Sequence, residues 1–463
     1  MKKSYLFFPV VFTIILFFIF ANSSYLSGDK DREPVIKNTR TFSKDAIICY
    51  VDTSLGKCKS GSCPTIEDCI NNNKKASSLD VKILVEEYTS CPNIVIDKDM
   101  QLKISSNNAN YTTEVQCESG FIIKAQNSEL KLFIENINFE GSESTCLSLT
   151  SNKKSFLTMD NVQIHNCESL GDGGAVLALG FEVYVKDSTF SKNFARNSTM
   201  NPGSGGAIWS NHLVSVSRSS FEDNKADLNG GAICAGSVKI MDCEFKGSEA
   251  VNGGAISTSK ATIQQTIFSN NVAQENGGAL ELNSEHQYSY LYKNEFDSNQ
   301  AYFGGHLYLL PSNISVLACD FEHGQAEFGG AIYIQDKYYD KPEYQYELVD
   351  SVFNSNKATA KGGAFYSLHT KNLIGGVFTD SQSSDSQIQS FPDFYINHVN
   401  TVQVPYAKNC SRVPAVKDHS FETFLCIGVD STVCKNSQKC NPQSIKLLQV
   451  NVDDYISNNK YQL

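Results

Sequence analysis

The sequence predicts an all-β fold, a parallel β-helix in which short strands stack coil upon coil. Three features predict it: a recurring Gly-Gly pair, a Phe-x-x-Asn marker between those pairs, and apolar residues that alternate with polar ones before each marker. A fixed period of about 20–50 residues is typical of solenoids, and period-two alternation is typical of strands. The alternation, with no sustained helical period, excludes a helical solenoid.

The two markers set the length of the repeat, because most successive Phe markers are 23 to 28 residues apart. Gly-Gly begins at Gly173, Gly205, Gly230, Gly253, Gly277, Gly304, Gly329 and Gly362. Full Phe-x-x-Asn copies begin at Phe190, Phe221, Phe268, Phe296 and Phe353, and degenerate copies at Phe139, Ile164, Phe245, Phe321 and Phe378. We expect Gly-Gly to supply left-handed turns and close coil approach, Phe to stack inside the coils, and Asn to lie at turns.

The strands are located by the position five residues before each Phe marker. This position is apolar in all ten copies, from Ile134 to Leu373, while the positions six and eight residues before the marker are mainly polar. Successive side chains of a strand point to opposite faces. Each repeat therefore carries short strands that turn one face inward.

The N-terminal segment predicts export from the cytosol. Lys2 and Lys3 precede the uncharged run LFFPVVFTIILFFIFA, and residues 1–24 therefore read as a secretory signal peptide. The run is also long enough to span a bilayer, so a retained signal-anchor is the alternative. Residues 25–45 are a charged leader or stalk. The rest of the chain is expected to be secreted or displayed at the cell surface.

Both ends of the β-helix are expected to be capped. Residues 46–130 form the N-terminal cap and first coils, and CPTIEDCINN predicts a short helix with Ile66, Cys69 and Ile70 on one side. Such a helix would cover edge strands that otherwise template aggregation. Residues 131–399 hold the repeats, and residues 400–463 form a Cys-containing C-terminal cap.

The cysteines predict disulfide-rich ends, because oxidising compartments cross-link chain segments that have little core. No pairing follows from the sequence. The candidates crowd the two ends: Cys49, Cys58, Cys63, Cys69, Cys410, Cys426, Cys434 and Cys440. Cys243 and Cys319 lie in coils too far apart to bridge and are expected to be buried thiols. Glycosylation sequons begin at Asn110, Asn197, Asn313 and Asn409.

The charge of the chain excludes some partners. The formal net charge is −11, and only five of the 39 basic residues are Arg. A nucleic-acid partner is not expected, because nothing offsets phosphate repulsion. An Arg cluster for bidentate recognition of phosphate or carboxylate is not expected either.

The paired Gly-Gly-Ala and Phe-x-x-Asn markers resemble the repeats of the polymorphic outer-membrane proteins, surface adhesins best known from chlamydiae. The resemblance covers about residues 130–380. It implies a right-handed, pectin-lyase-like parallel β-helix. Those bacterial proteins end in a membrane β-barrel, whereas about 80 residues without alternating barrel strands follow the last repeat here.

An enzyme on this fold is the first alternative to an adhesin. By resemblance, the pectin-lyase-like lyases use acidic calcium ligands with an Arg base, and the galacturonases use an Asp cluster with His and Arg-x-Lys. The chain has no Arg-x-Lys, and neither Arg196 nor Arg218 has an Asp cluster at matching positions of neighbouring coils. No catalytic residues or cofactor are therefore predicted.

One group of carboxylates does align in adjacent coils. Glu295 and Asp297 flank one Phe marker, and Asp320 and Glu322 flank the next. Adjacent strands lie about 5 Å apart, a separation that carboxylate pairs of retaining glycosidases also have. Four hard oxygens suit a loosely bound calcium ion better, and a solvated acidic face is the third interpretation.

The second candidate surface is aromatic. Tyr288, Tyr290 and Tyr292 fall at outward positions of one strand while Leu291 points inward. An exposed row of Tyr could stack on sugar rings or on a protein partner. A covering loop is the competing interpretation, and a glycan on Asn313, which aligns with Tyr288 one coil on, would obstruct the row.

We therefore expect a secreted or membrane-anchored surface protein that acts as an adhesion or recognition module without catalysis. Its partner is expected to be a cell-surface or extracellular glycan or protein. A carbohydrate-active enzyme using the four carboxylates is the first alternative, and a structural coat or wall component is the second.

Overall fold

The structure is a computed structural model that describes one compact unit within Thr41–Pro442. It covers residues 41–107, 112–199, 201–283, 287–310, 313–335, 345–349 and 351–367, and beyond them only short strands. The segment 1–40, which holds the predicted signal and nearly all of the leader, lies outside the described residues, as does most of the predicted C-terminal cap. The proposed domain boundaries remain predictions.

The described chain is a parallel β-solenoid, as the sequence predicts. Each strand pairs in parallel with the equivalent strand of the next coil, so that Phe190 lies opposite Phe221 and Phe221 opposite Phe245. The right-handed, pectin-lyase-like geometry is consistent with this arrangement. Three sheets line the coils.

The first sheet contains two strands of each coil, namely the strand that begins just after Gly-Gly and the strand that follows it; in some coils the two are continuous. Its strands are Ile47–Val51, Ser62–Cys63, Ser78–Ile83, Asn93–Ile96, Met100–Ser106, Phe121–Ala125, Leu130–Glu135, Leu147–Asp160, Val176–Lys186, Ile208–Ser217, Ile233–Met241, Ile256–Thr258, Ala261–Gln264, Leu280–Leu282, Tyr288–Tyr292, Leu307–Leu309, Asn313–Leu317, Ile332–Ile334, Gln345–Val349, Phe365–Ser367, Asn372–Ile374, Phe394–Ile396, Thr401–Val404 and Phe424–Cys426.

The second sheet contains the strands of the Phe marker, and the third follows the Asn turn. Strands of the second sheet are Glu87–Tyr88, Thr113–Gln116, Ile137–Ser142, Gln163–Leu170, Thr189–Ser191, Ser220–Glu222, Glu244–Lys246, Ile267–Ser269, Glu295–Asp297, Asp320–Glu322, Val352–Asn354, Val377–Thr379 and Tyr406–Ala407. The end of Gln163–Leu170 also pairs into the third sheet, whose other strands are Phe194–Arg196, Lys225–Ala226, Glu249–Asn252, Val272–Asn276, Gln325–Phe328, Lys357–Lys361 and Gln382–Ser383.

The Phe markers form the predicted internal stack. Adjacent rings lie with centroids 4.7–5.1 Å apart and planes within 10°. The rings are fully buried, and their spacing matches the distance between strands. The stack contains Phe190, Phe221, Phe245, Phe268, Phe296, Phe321 and Phe353.

The Asn residues of the markers form a buried ladder at the corner after the Phe stack. Asn271 Nδ2 donates to Phe245 O at 3.0 Å and to Asn299 Oδ1 at 2.9 Å, and Asn271 Oδ1 accepts the Ser248 N–H. Each such amide satisfies backbone groups that the corner leaves unpaired, which would otherwise cost free energy when buried.

Gly-Gly does what its sequence position predicts. Gly253 has φ +60°, a conformation that Gly adopts without strain. A Cβ on Gly254 would collide with the Gly278 carbonyl of the next coil and with the Val272 backbone. The first Gly therefore makes the turn, and the second lets coils approach closely.

The predicted N-terminal helix exists as α1, Ile66–Asn72. Thr65 caps it by accepting the Asp68 N–H at 3.0 Å. Ile66, Cys69 and Ile70 are its buried residues and join the core of the first coils. No helix among the described residues is long and apolar enough to span a membrane.

The cysteines of the N-terminal end are disulfide-bonded as predicted, in the pairs Cys49–Cys69 and Cys58–Cys63. A further bond, Cys146–Cys167, joins two successive coils and was not anticipated from the sequence. Cys243 and Cys319 are buried free thiols, as expected. Cys410, Cys434 and Cys440 lie outside the described residues, and of Cys426 only the backbone is described.

Candidate recognition surfaces

The predicted acidic patch forms on the outside of the second sheet. Glu295 lies opposite Asp320, and Asp297 lies opposite Glu322, on either side of stacked Phe rings. Glu295 and Asp320 are exposed, while Asp297 and Glu322 are half-buried. The patch is two coils tall, because Ile267 and Ser269 lie below it and Val352 and Asn354 lie above.

A histidine modifies the electrostatics of this patch. His323 Nδ1 lies 2.8 Å from Asp297 Oδ1, and its side chain is 55% exposed. Burial raises the pKa of the Asp320 carboxyl, and the neighbouring Glu322 and Glu295 carboxylates add to the rise. The charged form of Asp320 is therefore disfavoured by its position in the patch.

The patch brings together fewer cation ligands than the sequence suggested. Ligand atoms of Asp297, Glu322 and His323 lie within 4.8 Å of one another, whereas Glu295 and Asp320 are not part of that group. Two carboxylates and an imidazole could hold a divalent cation. Calcium prefers oxygen ligands throughout, so replacing two of the predicted carboxylates by an imidazole makes the group less suited to it.

The predicted tyrosine row is wrong at its centre. Tyr288 is 42% exposed, but Tyr290 is only 4% exposed and Tyr292 is half-buried. Burial raises the pKa of the Tyr290 hydroxyl, with smaller contributions from Tyr292 and Tyr288. The position faces outward from the strand, yet other side chains cover it, so three tyrosines do not form one exposed row.

Two of the four glycosylation sequons can be placed. Asn197 is exposed, and Asn313 lies directly opposite Tyr288 in the adjacent coil, as predicted. Asn110 and Asn409 lie outside the described residues. A glycan on Asn313 would stand beside the Tyr288 hydroxyl, which is 2.8 Å from Ser315 Oγ.

A second aromatic surface, which sequence reasoning missed, lies beside the Gly-Gly turns. We call it the aromatic face and define it by Tyr302, Phe303, Tyr308, Phe328, Tyr333 and Tyr366. Register positions Tyr308 opposite Tyr333, and Tyr333 opposite Tyr366, on the outer side of the first sheet. Phe303 lies opposite Phe328 just before the turns.

The rings of the aromatic face pack against one another. Tyr333 and Tyr366 stack at 4.9 Å with planes 5° apart, and Tyr308 and Tyr333 stack at 5.6 Å. Phe303 bridges the two columns, at 4.8 Å from Tyr333 and 5.6 Å from Phe328. Such contacts fix ring orientations.

The outer edge of the aromatic face meets solvent. Tyr302 is 42% exposed and packs edge-on against Phe303 at 4.5 Å. Phe303 and Phe328 are half-buried. The Tyr302 hydroxyl donates to Glu327, a bond that raises the pKa of Tyr302.

The stacked column of Tyr308, Tyr333 and Tyr366 ends at the buried carboxyl of Glu281. Glu281 lies opposite Tyr308 in the preceding coil, is 7% exposed, and accepts a 2.6 Å hydrogen bond from Ser257 Oγ. Burial raises the pKa of Glu281. Polar and aromatic groups are thus juxtaposed, an arrangement typical of sites that bind sugars or peptides.

The sequence does contain a signal for this surface. The residue four positions after the first Gly of the Gly-Gly pair is Tyr in three successive repeats, at Tyr308, Tyr333 and Tyr366, and the residue before Gly-Gly is Phe in two of them. A column-by-column reading of the repeats would have found both.

Comparison with known families identifies the repeat. Four segments, residues 187–211, 218–236, 265–281 and 350–368, match the Chlamydia polymorphic membrane protein (Chlamydia_PMP) repeat. The chain carries Pmp repeats. Each matched segment contains a full Phe-x-x-Asn marker and the Gly-Gly pair that follows it.

Because the matched repeat is that of a membrane protein family, the match supports a cell-surface role. No curated protein and no solved structure matches the chain significantly. The matched segments cover the repeats alone.

Proposed function

We propose that the protein is a cell-surface recognition module whose aromatic face binds an extracellular glycan or protein. The observation that carries the proposal is the solvent-facing part of the aromatic face, where Tyr302 is exposed beside half-buried Phe303 and Phe328. Tyr308 and Tyr366 are only 6% and 8% exposed and support these rings from below. Contiguous aromatic surface is uncommon on soluble monomers and marks interaction sites.

The rigidity of the aromatic face supports this role. Its rings are held by stacking and by a β-solenoid backbone, so little side-chain freedom is lost on binding. A sugar presents an apolar face for stacking and hydroxyls for hydrogen bonds, and the aromatic face offers Tyr302 and Glu327 together at its exposed edge. The exposed Tyr288 is the remaining candidate from the predicted tyrosine row.

The acidic patch has a lesser part in the proposal. A divalent cation held by Asp297, Glu322 and His323 remains a prediction, as do its affinity and identity. The same patch is the group that a carbohydrate-active enzyme would use, and a coat component would need neither surface.

The test compares two tyrosines of equal exposure. Residues 25–463 are displayed on beads and offered a panel of acidic and neutral polysaccharides and whole cells. Tyr302→Ala and Tyr288→Ala each remove a side chain that is 42% exposed. We expect Tyr302→Ala to lower the retained ligand about tenfold, since one stacked ring contributes about 1–3 kcal/mol, and Tyr288→Ala to leave it unchanged.

Control variants show whether the ligand binds at the aromatic face or at the strand of Tyr288. Tyr302→Phe keeps the ring and should retain most of the binding, losing only the Glu327 hydrogen bond. Loss with Tyr288→Ala alone would transfer the site to that strand. Binding that survives both changes would contradict an aromatic recognition site.

The same samples test the enzyme alternative. Reducing ends released from the polysaccharides would be measured over time, with Glu295→Gln/Asp320→Asn as the variant. Release that rises with wild type and falls with this variant would establish catalysis in the acidic patch and overturn a pure recognition role.

A further inference from the structure

Cys91 and Cys117 occupy neighbouring corners of two successive coils. Cys91 follows the strand Glu87–Tyr88, and Cys117 follows the strand Thr113–Gln116; these strands pair in parallel with Tyr88 opposite Val115. The strands after the two cysteines also pair, with Asn93 opposite Ile122. Strand pairing before and after the two cysteines therefore holds the two corners side by side.

The two thiols face each other at that corner. Cys117 is 4% exposed, and its Sγ lies 3.3 Å from Ser90 O, next to Cys91 in the chain. Cys91 is half-buried and packs against the same core. The Cys117 thiol is also within hydrogen-bonding contact of the Cys91 thiol, and burial is the main reason that the Cys117 pKa is raised.

The disulfide Cys146–Cys167 has a similar arrangement two coils further on, shifted by one residue at the second cysteine. Asn93, Ile122 and Ser148 lie opposite one another in three successive coils. Cys91 and Cys146 each lie two residues before these positions, so they occupy equivalent positions of their coils. Gln116, Glu140 and His165 share another column, so Cys117 lies one position from the column of Cys167. In each pair the first cysteine precedes a strand of the first sheet. The second is the last residue of the next coil that pairs into the second sheet, as Cys167 is, or the residue directly after that strand, as Cys117 is.

The spacing of coils also fits a covalent bond. Cys146 and Cys167 have Cα atoms 5.8 Å apart across one coil step, within the range of about 4.4–6.8 Å that disulfides need. Cys91 and Cys117 are separated by one coil step as well. Cys243 and Cys319, by contrast, are three coils apart.

We propose that Cys91 and Cys117 form a fourth disulfide that joins the first coils of the solenoid. The more exposed Cys91, as a thiolate, attacks a disulfide oxidant such as oxidised glutathione and releases one glutathione thiolate. Cys117 then gives up its proton and attacks the Cys91 sulfur, releasing the second. The two cysteine thiols are oxidised, and one glutathione disulfide is reduced to two thiols.

Counting free thiols in the full chain tests the bond, because the count of the Cys91→Ser variant rises if the bond exists and falls if it does not. The chain is recovered from a secreting eukaryotic cell, denatured without reductant, and titrated with a chromogenic thiol reagent. Cys91→Ser should gain one thiol per chain if the bond exists, because Cys117 loses its partner. It should lose one thiol if Cys91 is free in wild type, which would overturn the proposal.

The double variant Cys91→Ser/Cys117→Ser identifies the partner. If Cys91→Ser and Cys117→Ser each gain one thiol, an unchanged count in the double variant means that the two cysteines pair with each other; a loss of one in Cys117→Ser would mean that Cys117 is free and would overturn the bond. A gain of two would mean that each pairs elsewhere, and a loss of two would mean that both are free; either result contradicts the bond. Cys243→Ser, which removes a buried free thiol, calibrates the titration as a loss of one.

A second readout does not depend on variants. Proteolysis without reductant, followed by mass spectrometry, should recover the peptides that contain Cys91 and Cys117 as one species, about two hydrogen masses below their sum. Recovery of both peptides as separate alkylated thiols would overturn the proposal.

Discussion

The coils before Phe190 and the coils after it stabilise the same corner differently. In the later coils a buried Asn ladder and a continuous Phe stack satisfy and fill the corner. In the earlier coils the stack position holds Tyr88, Val115, Phe139 and Ile164, and Cys167 stands where the ladder Asn would be, its N–H donating to Asn193 Oδ1. Covalent bonds thus replace repeat chemistry in the earlier coils, whereas the degenerate later copies at Phe245 and Phe321 keep the Phe stack.

This contrast shows that a solenoid can change its means of support along its length without changing its backbone path. The side-chain bond between rungs of the ladder needs Asn in both adjacent coils, as in Asn271 and Asn299, whereas a disulfide needs only two cysteines one coil apart. Irregular terminal coils, which have fewer identical neighbours, are therefore the place for disulfides.

The largest expected effect tests the Phe stack. Phe268→Ala removes a fully buried ring between Phe245 and Phe296 and should lower the free energy of unfolding by about 3–5 kcal/mol. Urea titration followed by circular dichroism measures it. Ile267→Ala, at a neighbouring site that is 41% exposed, is the control, and an equal loss there would show that the stack has no special weight.

The next effect concerns His306, which fills a gap in the Asn ladder. Gly324 stands where a ladder Asn is expected, and its missing Cβ would lie 2.5 Å from His306 Nε2. Asn299 Nδ2 donates to His306 Nδ1, and His306 Nε2 donates to Asn356 Oδ1, an assignment that follows from the Asn356 oxygen also accepting the Gly324 N–H. The imidazole is thus neutral, and burial lowers its pKa to about 4.

This lowered pKa predicts sensitivity of the later coils to acid. The unfolded chain, in which the His306 pKa is about 6.5, binds more protons than the folded chain between pH 6.5 and 4. Stability is therefore fully present above pH 6.5 and should fall by roughly 3 kcal/mol as the pH drops to about 4. Urea titrations at several pH values should show a smaller fall for His306→Gln, and His323→Gln, at an exposed site, should match wild type.

Removal of a disulfide should act on the earlier coils. Cys146→Ser/Cys167→Ser should cost roughly 2–4 kcal/mol, because the unfolded chain gains freedom. Hydrogen exchange should rise in residues 121–186 and stay unchanged in residues 233–334. An equal rise in both regions would show that the two do not differ in their support.

The smallest effect is expected from surface ion pairs. Arg218 and Asp187 lie in adjacent coils with Nε 2.7 Å from Oδ1, and both side chains are more than a third exposed. Arg218→Gln should change the free energy of unfolding by less than about 1 kcal/mol, and less still in 1 M salt. A loss above 2 kcal/mol would contradict the view that buried contacts hold the coils.

The sequence predicted the solenoid, the Phe stack and the turn position of the Asn residues, because each depends on residues at a constant offset in the repeats. It also predicted helix α1 from its local pattern of buried residues. The sequence did not predict features that a residue's position in the repeat does not determine. Tyr290 is outward in its strand but buried, since alternation fixes the face of a side chain and says nothing of what covers that face. Cys146–Cys167 joins two different corner positions, which no alignment on the Phe marker brings together.

His306 limits how the repeats can be rearranged by recombination. Its two partners, Asn299 and Asn356, belong to different coils, and a third coil with Gly324 lies between them. Unequal crossing-over that duplicates or deletes one repeat in this stretch would leave the imidazole against an Asn side chain or open a hole at Gly324. The coils from Phe190 to Phe296 all keep the stacked Phe, and all but that of Phe245 keep the ladder Asn. They lack this dependence, so gain and loss of repeats among relatives should concentrate there.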